Sequence, residues 1–215
     1  MNAARTWHAA TAALAVGGLT LQLVLVVIGN PVLAEVEPPG LGMRLYRFAA
    51  YFTVESNALV AFAALTLVRN PQRDGRAWRV LRLAGVVAIT VTALVHFVLL
   101  RPLLDLEGWD YVADKVLHMG VPALAILGWV CFGPRPRVSS ATVWVALALP
   151  LGWTVWTLAF GQVDGWYPYP FLDPDAEGWP HVAVALAGVT TLFVALSLAA
   201  RWWDRRPAGV ADPPT

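Results

Sequence analysis

The feature that most limits what this chain can become is a series of apolar runs, each close to twenty residues long, that fill most of its 215 residues. They extend roughly over 9–28, 48–68, 82–100, 116–132, 141–161 and 181–200. About 20 apolar residues in a helix cross ~30 Å of hydrocarbon. In lipid each backbone polar group must be satisfied inside the protein, so such runs read as helices. A hydrophobic share of 58% with 13% charged residues excludes an ordinary soluble domain. The fold class expected is therefore all-α: a polytopic membrane protein, one bundle of six transmembrane helices over 1–204. Residues 205–215, with Pro207, Pro213 and Pro214, read as a disordered cytoplasmic tail. The longest connector, Gly29 to Arg47, is too short to hold a core of its own.

Charge supplies an orientation. Cytoplasmic connections collect Lys and Arg, and of the 15 in this chain only Arg44, Arg47, Arg101 and Lys115 fall on the side opposite the N-terminus. Asp105, Glu107, Asp110, Asp114, Asp164, Asp173, Asp175 and Glu177 crowd that opposite side. Both termini are expected in the cytoplasm, with the cell membrane as the location and the lipid bilayer as the obligatory partner. The basic connection from Arg69 to Arg82 is explained by topology and implies no nucleic acid.

Arg5 and Val32-Leu33-Ala34 flank the first run in the manner of a secretory signal. The run itself is longer than the roughly 7–15 apolar residues of a signal core, so a retained helix is expected. The lone Cys131 can form no internal disulfide and reads as a small packing residue. Trp109, Trp179, Trp202 and Trp203 fall near span ends, where amphipathic rings anchor at the headgroups.

Against this apolar background a few polar residues stand out: Thr53-Val54-Glu55-Ser56-Asn57 in the second run, His96 in the third and His118 in the fourth. Uncompensated polar groups in lipid are costly and usually face a protein interior where they serve a purpose. Thr53 is about five residues inside the outer end of its run, or ~8 Å at 1.5 Å per residue. His96 and His118 sit at similar heights, so three helices carry reactive side chains in one outer-leaflet layer. Helical spacing places Asn57 on the Thr53 face, with Ser56 beside it. Glu55 is turned by about 200° and points elsewhere, where a salt bridge to Arg44 or Arg47 is the plainer role. Asp114, four residues before His118, is placed to receive an imidazole N–H and fix the tautomer. Pro122 removes the partner of the His118 carbonyl, which bends the helix at the histidine. A lone threonine or histidine can equally bond its own backbone or a neighbouring helix and do nothing more.

Three short patches then converge. Phe52-Thr53, Leu117-His118-Met119-Gly120-Val121-Pro122 and Tyr169-Pro170-Phe171-Leu172-Asp173 resemble, in order and spacing, the androgen-induced-protein family of integral membrane threonine hydrolases and its bacterial relatives. Eukaryotic members hydrolyse fatty acid esters of hydroxy fatty acids. The resemblance implies Thr53 as nucleophile, His118 as general base and a lipid ester as substrate. It departs three residues after the threonine, where eukaryotic members tend to carry Asp or Asn and this chain has Ser56 followed by Asn57.

The chemistry implied is acyl transfer: an imidazole takes the threonine proton as the oxygen attacks an ester carbonyl, and returns it to the departing alcohol. Asn57 is the candidate donor to the oxyanion. Trp166, Tyr167, Tyr169, Phe171 and Asp173 lie in a proline-stiffened stretch that reads either as a lid over the site or as an interfacial anchor. No cofactor is implied, and no Cys/His spacing typical of zinc marks a metal site. The rival functions are a haem-binding redox protein using His96 and His118, a non-catalytic lipid-binding or scaffold protein, and a transporter, for which no inverted repeat is visible.

Overall fold

A computed structural model describes residues 3–30 and 39–206. Among them all regular structure is helical: α1 (Ala3–Ile28), α2 (Leu41–Ala50), α3 (Phe52–Arg69), α4 (Arg76–Val95), α5 (Gly108–Lys115), α6 (Val121–Phe132), α7 (Ser140–Ala146), α8 (Ala148–Asp164), α9 (Pro174–Glu177) and α10 (Trp179–Asp204). Six helical segments are long and apolar enough to cross a membrane: Ala3–Ile28, Phe52–Arg69, Arg76–Leu103, Gly108–Phe132, Ser140–Asp164 and Trp179–Asp204. The protein is thus a multi-pass membrane protein by length and composition of its helices. Val32-Leu33-Ala34 and residues 207–215 lie outside the described residues.

α4 runs through the middle of the packing, against α3, α6, α7 and α10, while α1 covers α3 and α6. Small residues permit the close approaches, as expected where helices associate without a hydrophobic gain over lipid. A Cβ added at Gly85 would sit 3.3 Å from the Leu59 Cβ, and one at Gly18 would meet the Val116 and Leu117 side chains at 2.6 and 2.9 Å. That second contact holds α1 against the segment that carries His118.

The run expected over 48–68 is two helices. Tyr51 is extended, at φ −69° and ψ 125°, so α2 ends at Ala50 and a new helix begins at Phe52. Part of the connector expected between the first two spans is therefore helical, and Arg44 in α2 donates to the Val26 and Val27 carbonyls at 2.9 and 3.3 Å, satisfying the end of α1. Thr53 sits in the first turn of α3, not some five residues inside a continuous helix. Because first-turn amides have no helical acceptor, its N–H is available to a partner outside the helix.

Both histidines lie in widened turns. The third span passes from α4 into a π-helical turn at His96–Leu100, where the Arg101 N–H reaches back to the His96 carbonyl. The fourth passes from α5 into a second π turn at Val116–Gly120, where the Val121 N–H bonds the Val116 carbonyl. Each ends two residues before a proline, Pro102 and Pro122. A residue without an N–H breaks the regular ladder, and single π turns of this kind recur at functional sites. Cys131 is exposed on the bundle surface and is not a packing residue. Trp109, Trp179 and Trp202 are exposed as anchors would be, whereas Trp203 turns inward and donates to the Val130 carbonyl at 3.3 Å.

Candidate functional site

The break at Tyr51 aims the start of α3 at the two π turns. Thr53 Oγ1 lies 3.3 Å from His118 Nε2. On the other side of the ring, His118 Nδ1 lies 3.0 Å from Asp114 Oδ1 and 3.1 Å from the Asp114 backbone carbonyl. A carboxylate and a carbonyl can only accept, so Nδ1 carries the hydrogen and Nε2 presents a lone pair toward the threonine hydroxyl. Thr53, His118 and Asp114 form one continuous line.

His96 joins them. Its Nε2 is 3.0 Å from the same Asp114 oxygen, and its ring stacks on that of His118 with centroids 3.8 Å apart and planes 11° from parallel. The sequence offered His96 no partner; the partner is a residue eighteen positions away on the next span. Lys115, read in the sequence only as a topological charge, places Nζ 2.6 Å from the remaining Asp114 oxygen. One carboxylate, 6% exposed, thus receives two imidazole N–H groups on Oδ1 and an ammonium on Oδ2. The buried charge is paired and its acceptor positions are filled, as a buried ion requires.

Tyr169 is the residue whose role the sequence did not reveal. It is not an anchor at the membrane surface: its side chain is buried, and its hydroxyl oxygen accepts the Thr53 backbone N–H at 3.3 Å and lies 3.4 Å from Thr53 Oγ1. Burial pushes its phenol up to about 12. The group is therefore protonated at neutral pH and serves as a hydrogen donor, not a base. With its oxygen taking backbone N–H, its own hydrogen is directed at Thr53 Oγ1. Pro168 and Pro170 on either side hold this tyrosine in an extended stretch.

The other members of the aromatic segment pack against the protein, and Phe171 also lines a cavity beside Thr53. Tyr167 accepts from Gln162 Nε2 at 2.7 Å, Trp166 packs edge-on against Tyr51, and Phe171 stacks on Tyr169 with centroids 5.4 Å apart. Asp173 caps α9 by accepting from the Asp175 and Ala176 amides.

Two further expectations are corrected. Asn57 does not face an oxyanion: its amide donates to the Thr53 carbonyl at 2.8 Å and to the Leu117 carbonyl at 3.4 Å, so both hydrogens are engaged. It ties the nucleophile's turn to the turn carrying His118. Ser56 Oγ sits 3.1 Å from the same Thr53 carbonyl, to which it donates, and 3.2 Å from Thr92 Oγ1 on α4. Glu55 makes no ion pair with Arg44 or Arg47 among the described residues; Arg44 is spent on α1 and the Arg47 guanidinium lies 4.9 Å over the Trp166 ring.

Two cavities meet at this point. One, ≈ 690 Å³ with its open mouth included, is lined by His96, Asp110, Asp114, His118 and Gln22 together with apolar residues. The other, ≈ 750 Å³ measured the same way, is apolar, with Val91, Trp153, Phe171, Leu186, Val189 and Phe193 among its walls. Thr53, Leu100 and Tyr169 line both.

His96, Asp114 and His118 each offer a ligand atom, all within 4.8 Å of one another, and two imidazoles with a carboxylate are a donor set suited to a divalent cation. The Lys115 ammonium already supplies positive charge to that carboxylate, so a metal would have to displace or repel it. Haem ligation fits poorly, because axial imidazoles must approach iron from opposite faces and these rings lie stacked on each other. No family profile, curated protein or solved structure matches this chain.

Proposed function

We propose that this protein is an intramembrane hydrolase of fatty-acyl esters, with Thr53 as nucleophile and His118 as general base. The observation that carries the reading is the line from Thr53 Oγ1 through His118 to Asp114, in which the donor inventory leaves His118 Nε2 bare and facing the hydroxyl. Its separation of 3.3 Å is slightly long, as catalytic contacts often are before substrate is bound. Thr53 Oγ1 attacks the ester carbonyl as its proton passes to His118 Nε2. The Tyr169 hydroxyl, 3.4 Å from Thr53 Oγ1, turns its hydrogen to the oxyanion as the new C–O bond forms, while the Thr53 backbone N–H stays on the Tyr169 oxygen and holds it in place. The C–O bond to the alcohol breaks, the alcohol takes the proton from His118, and water then hydrolyses the acyl-threonine with His118 again as base. Asp114 holds the ring's tautomer and stabilises the imidazolium.

The proposed setting is the cell membrane with both termini cytoplasmic, which puts the site near the outer face. The excess of Lys and Arg at the opposite end of the bundle supports that orientation. A fluorophosphonate probe tests the function. The wild-type protein should label at Thr53, while Thr53→Ala and His118→Ala should not; equal labelling of Thr53→Ala and wild type would remove the nucleophile.

A further inference from the structure

We infer that the apolar cavity on the far side of Thr53 from the histidines holds the acyl chain of the ester, and that the alcohol portion occupies the cavity lined by His96 and His118. The inference rests on the hydrolase reading and follows from where the proton must go. His118 lines only one of the two cavities, and the imidazole that takes the Thr53 proton must return it to the departing alkoxide. The alcohol therefore leaves on the histidine side. The same side must admit the water that clears the acyl-threonine, and it is the side that carries Asp110, Gln22 and Asp114.

The remaining direction from the carbonyl carbon, past the wall made by Thr53 and Tyr169, leads into the other cavity. Its lining holds no Asp, Glu, His, Lys or Arg; threonines and Tyr169 are its polar members. Such a space suits a hydrocarbon chain and would make poor use of a charged or hydrated one. It also reaches the flank of the bundle: Leu151 on α8 is 50% exposed and Thr190 on α10 is exposed, so the cavity has an edge toward lipid between these two helices. A chain can enter from the bilayer without crossing water. Leu186 and Val189, on α10, line the cavity.

Two ester series separate the halves of the substrate: one varies the acyl chain from butyrate to palmitate on a constant alcohol, the other varies the alcohol on a constant short acyl group. Val189→Trp should lower turnover of palmitate esters by about tenfold or more relative to butyrate esters, since filling a hydrophobic pocket discriminates by that order for each group excluded. The order of preference within the alcohol series should stay that of the wild type. Leu186→Ala should move chain preference the other way. Intact-protein mass of the trapped intermediate should show the acyl half on Thr53. A Val189→Trp protein that loses the alcohol series instead, or both series equally, overturns the assignment while leaving the hydrolase intact. A wild-type protein that cleaves no ester and takes no fluorophosphonate fails the hydrolase reading first, and this inference with it.

Discussion

The imidazoles of His96 and His118 lie face to face, 3.8 Å apart, and each turns one nitrogen to the same oxygen of Asp114. Because that oxygen accepts from both, each ring is held in one tautomer: His96 with hydrogen on Nε2, His118 with hydrogen on Nδ1. The stack fixes the plane of the His118 ring as the carboxylate fixes its rotation. The threonine therefore meets a base whose lone pair is already oriented.

Asp114→Asn tests that orientation. An amide can turn its NH2 toward His118 Nδ1, which then accepts, forcing the hydrogen onto Nε2 and away from its use as a base. Acylation of Thr53 by a fluorophosphonate or an activated ester should fall by about 10⁴, the order seen when the acidic member of such a triad is neutralised. Substrate binding should be retained. A single-turnover rate near wild type would mean that Asp114 does not govern the tautomer.

Tyr169→Phe removes one oxyanion donor and leaves the ring packing with Phe171 in place. The turnover number should drop by roughly 10²–10³ while helix content is unchanged. The phenol's ionisation gives an independent reading. Burial raises it to about 12, so the stabilising contribution of the neutral form is complete below the unfolded value of about 10 and is lost as pH rises through the folded one. Ultraviolet titration of the 5 tyrosines should contain a late step that is missing in Tyr169→Phe. Titration of every tyrosine near pH 10, with the helices intact, would contradict the buried donor.

Much of this architecture was legible because the bilayer imposes a length on every span. The six apolar runs are all helical, and the layer of Thr53, His96 and His118 follows from counting residues inward. What sequence could not supply is contact across the bundle. His96 meets Asp114 across two spans, beside the two π turns. Tyr169 reads as one more interfacial aromatic until the chain folds back and sets it on the start of α3. The break at Tyr51 was hidden because Arg47 to Asn57 contains neither Gly nor Pro to mark it. Asn57 shared a helical face with Thr53 as expected, yet its amide turned to backbone carbonyls and not to the reacting centre.

The cluster of His96, Asp114 and His118 also makes a metal test decisive. With Lys115 Nζ 2.6 Å from the carboxylate, the site is already compensated in charge. Dialysis against a strong chelator should leave fluorophosphonate labelling unchanged, and the purified protein should carry no stoichiometric zinc by elemental analysis. Lys115→Met removes the competing cation and should raise affinity for added zinc while slowing labelling. Loss of labelling on chelation, restored by zinc, would assign the donors to a metal and not to proton transfer.

Asn57→Ala separates positioning from chemistry. The side chain is fully buried and bridges the carbonyls of Thr53 and Leu117, on different spans, so its loss takes the amide donor from both in a place water does not reach easily, with Ser56 Oγ still donating to the Thr53 carbonyl. The cost to stability should be about 1–3 kcal/mol, the usual desolvation penalty for such groups, seen as a lower melting temperature in detergent. Because the amide touches neither substrate nor base, the variant should still label at Thr53, more slowly. Its pH profile of labelling should keep the wild-type shape, since His118 retains Asp114. A changed profile would place Asn57 in the proton path, and complete loss of labelling in a protein that still melts cooperatively would return it to the catalytic set.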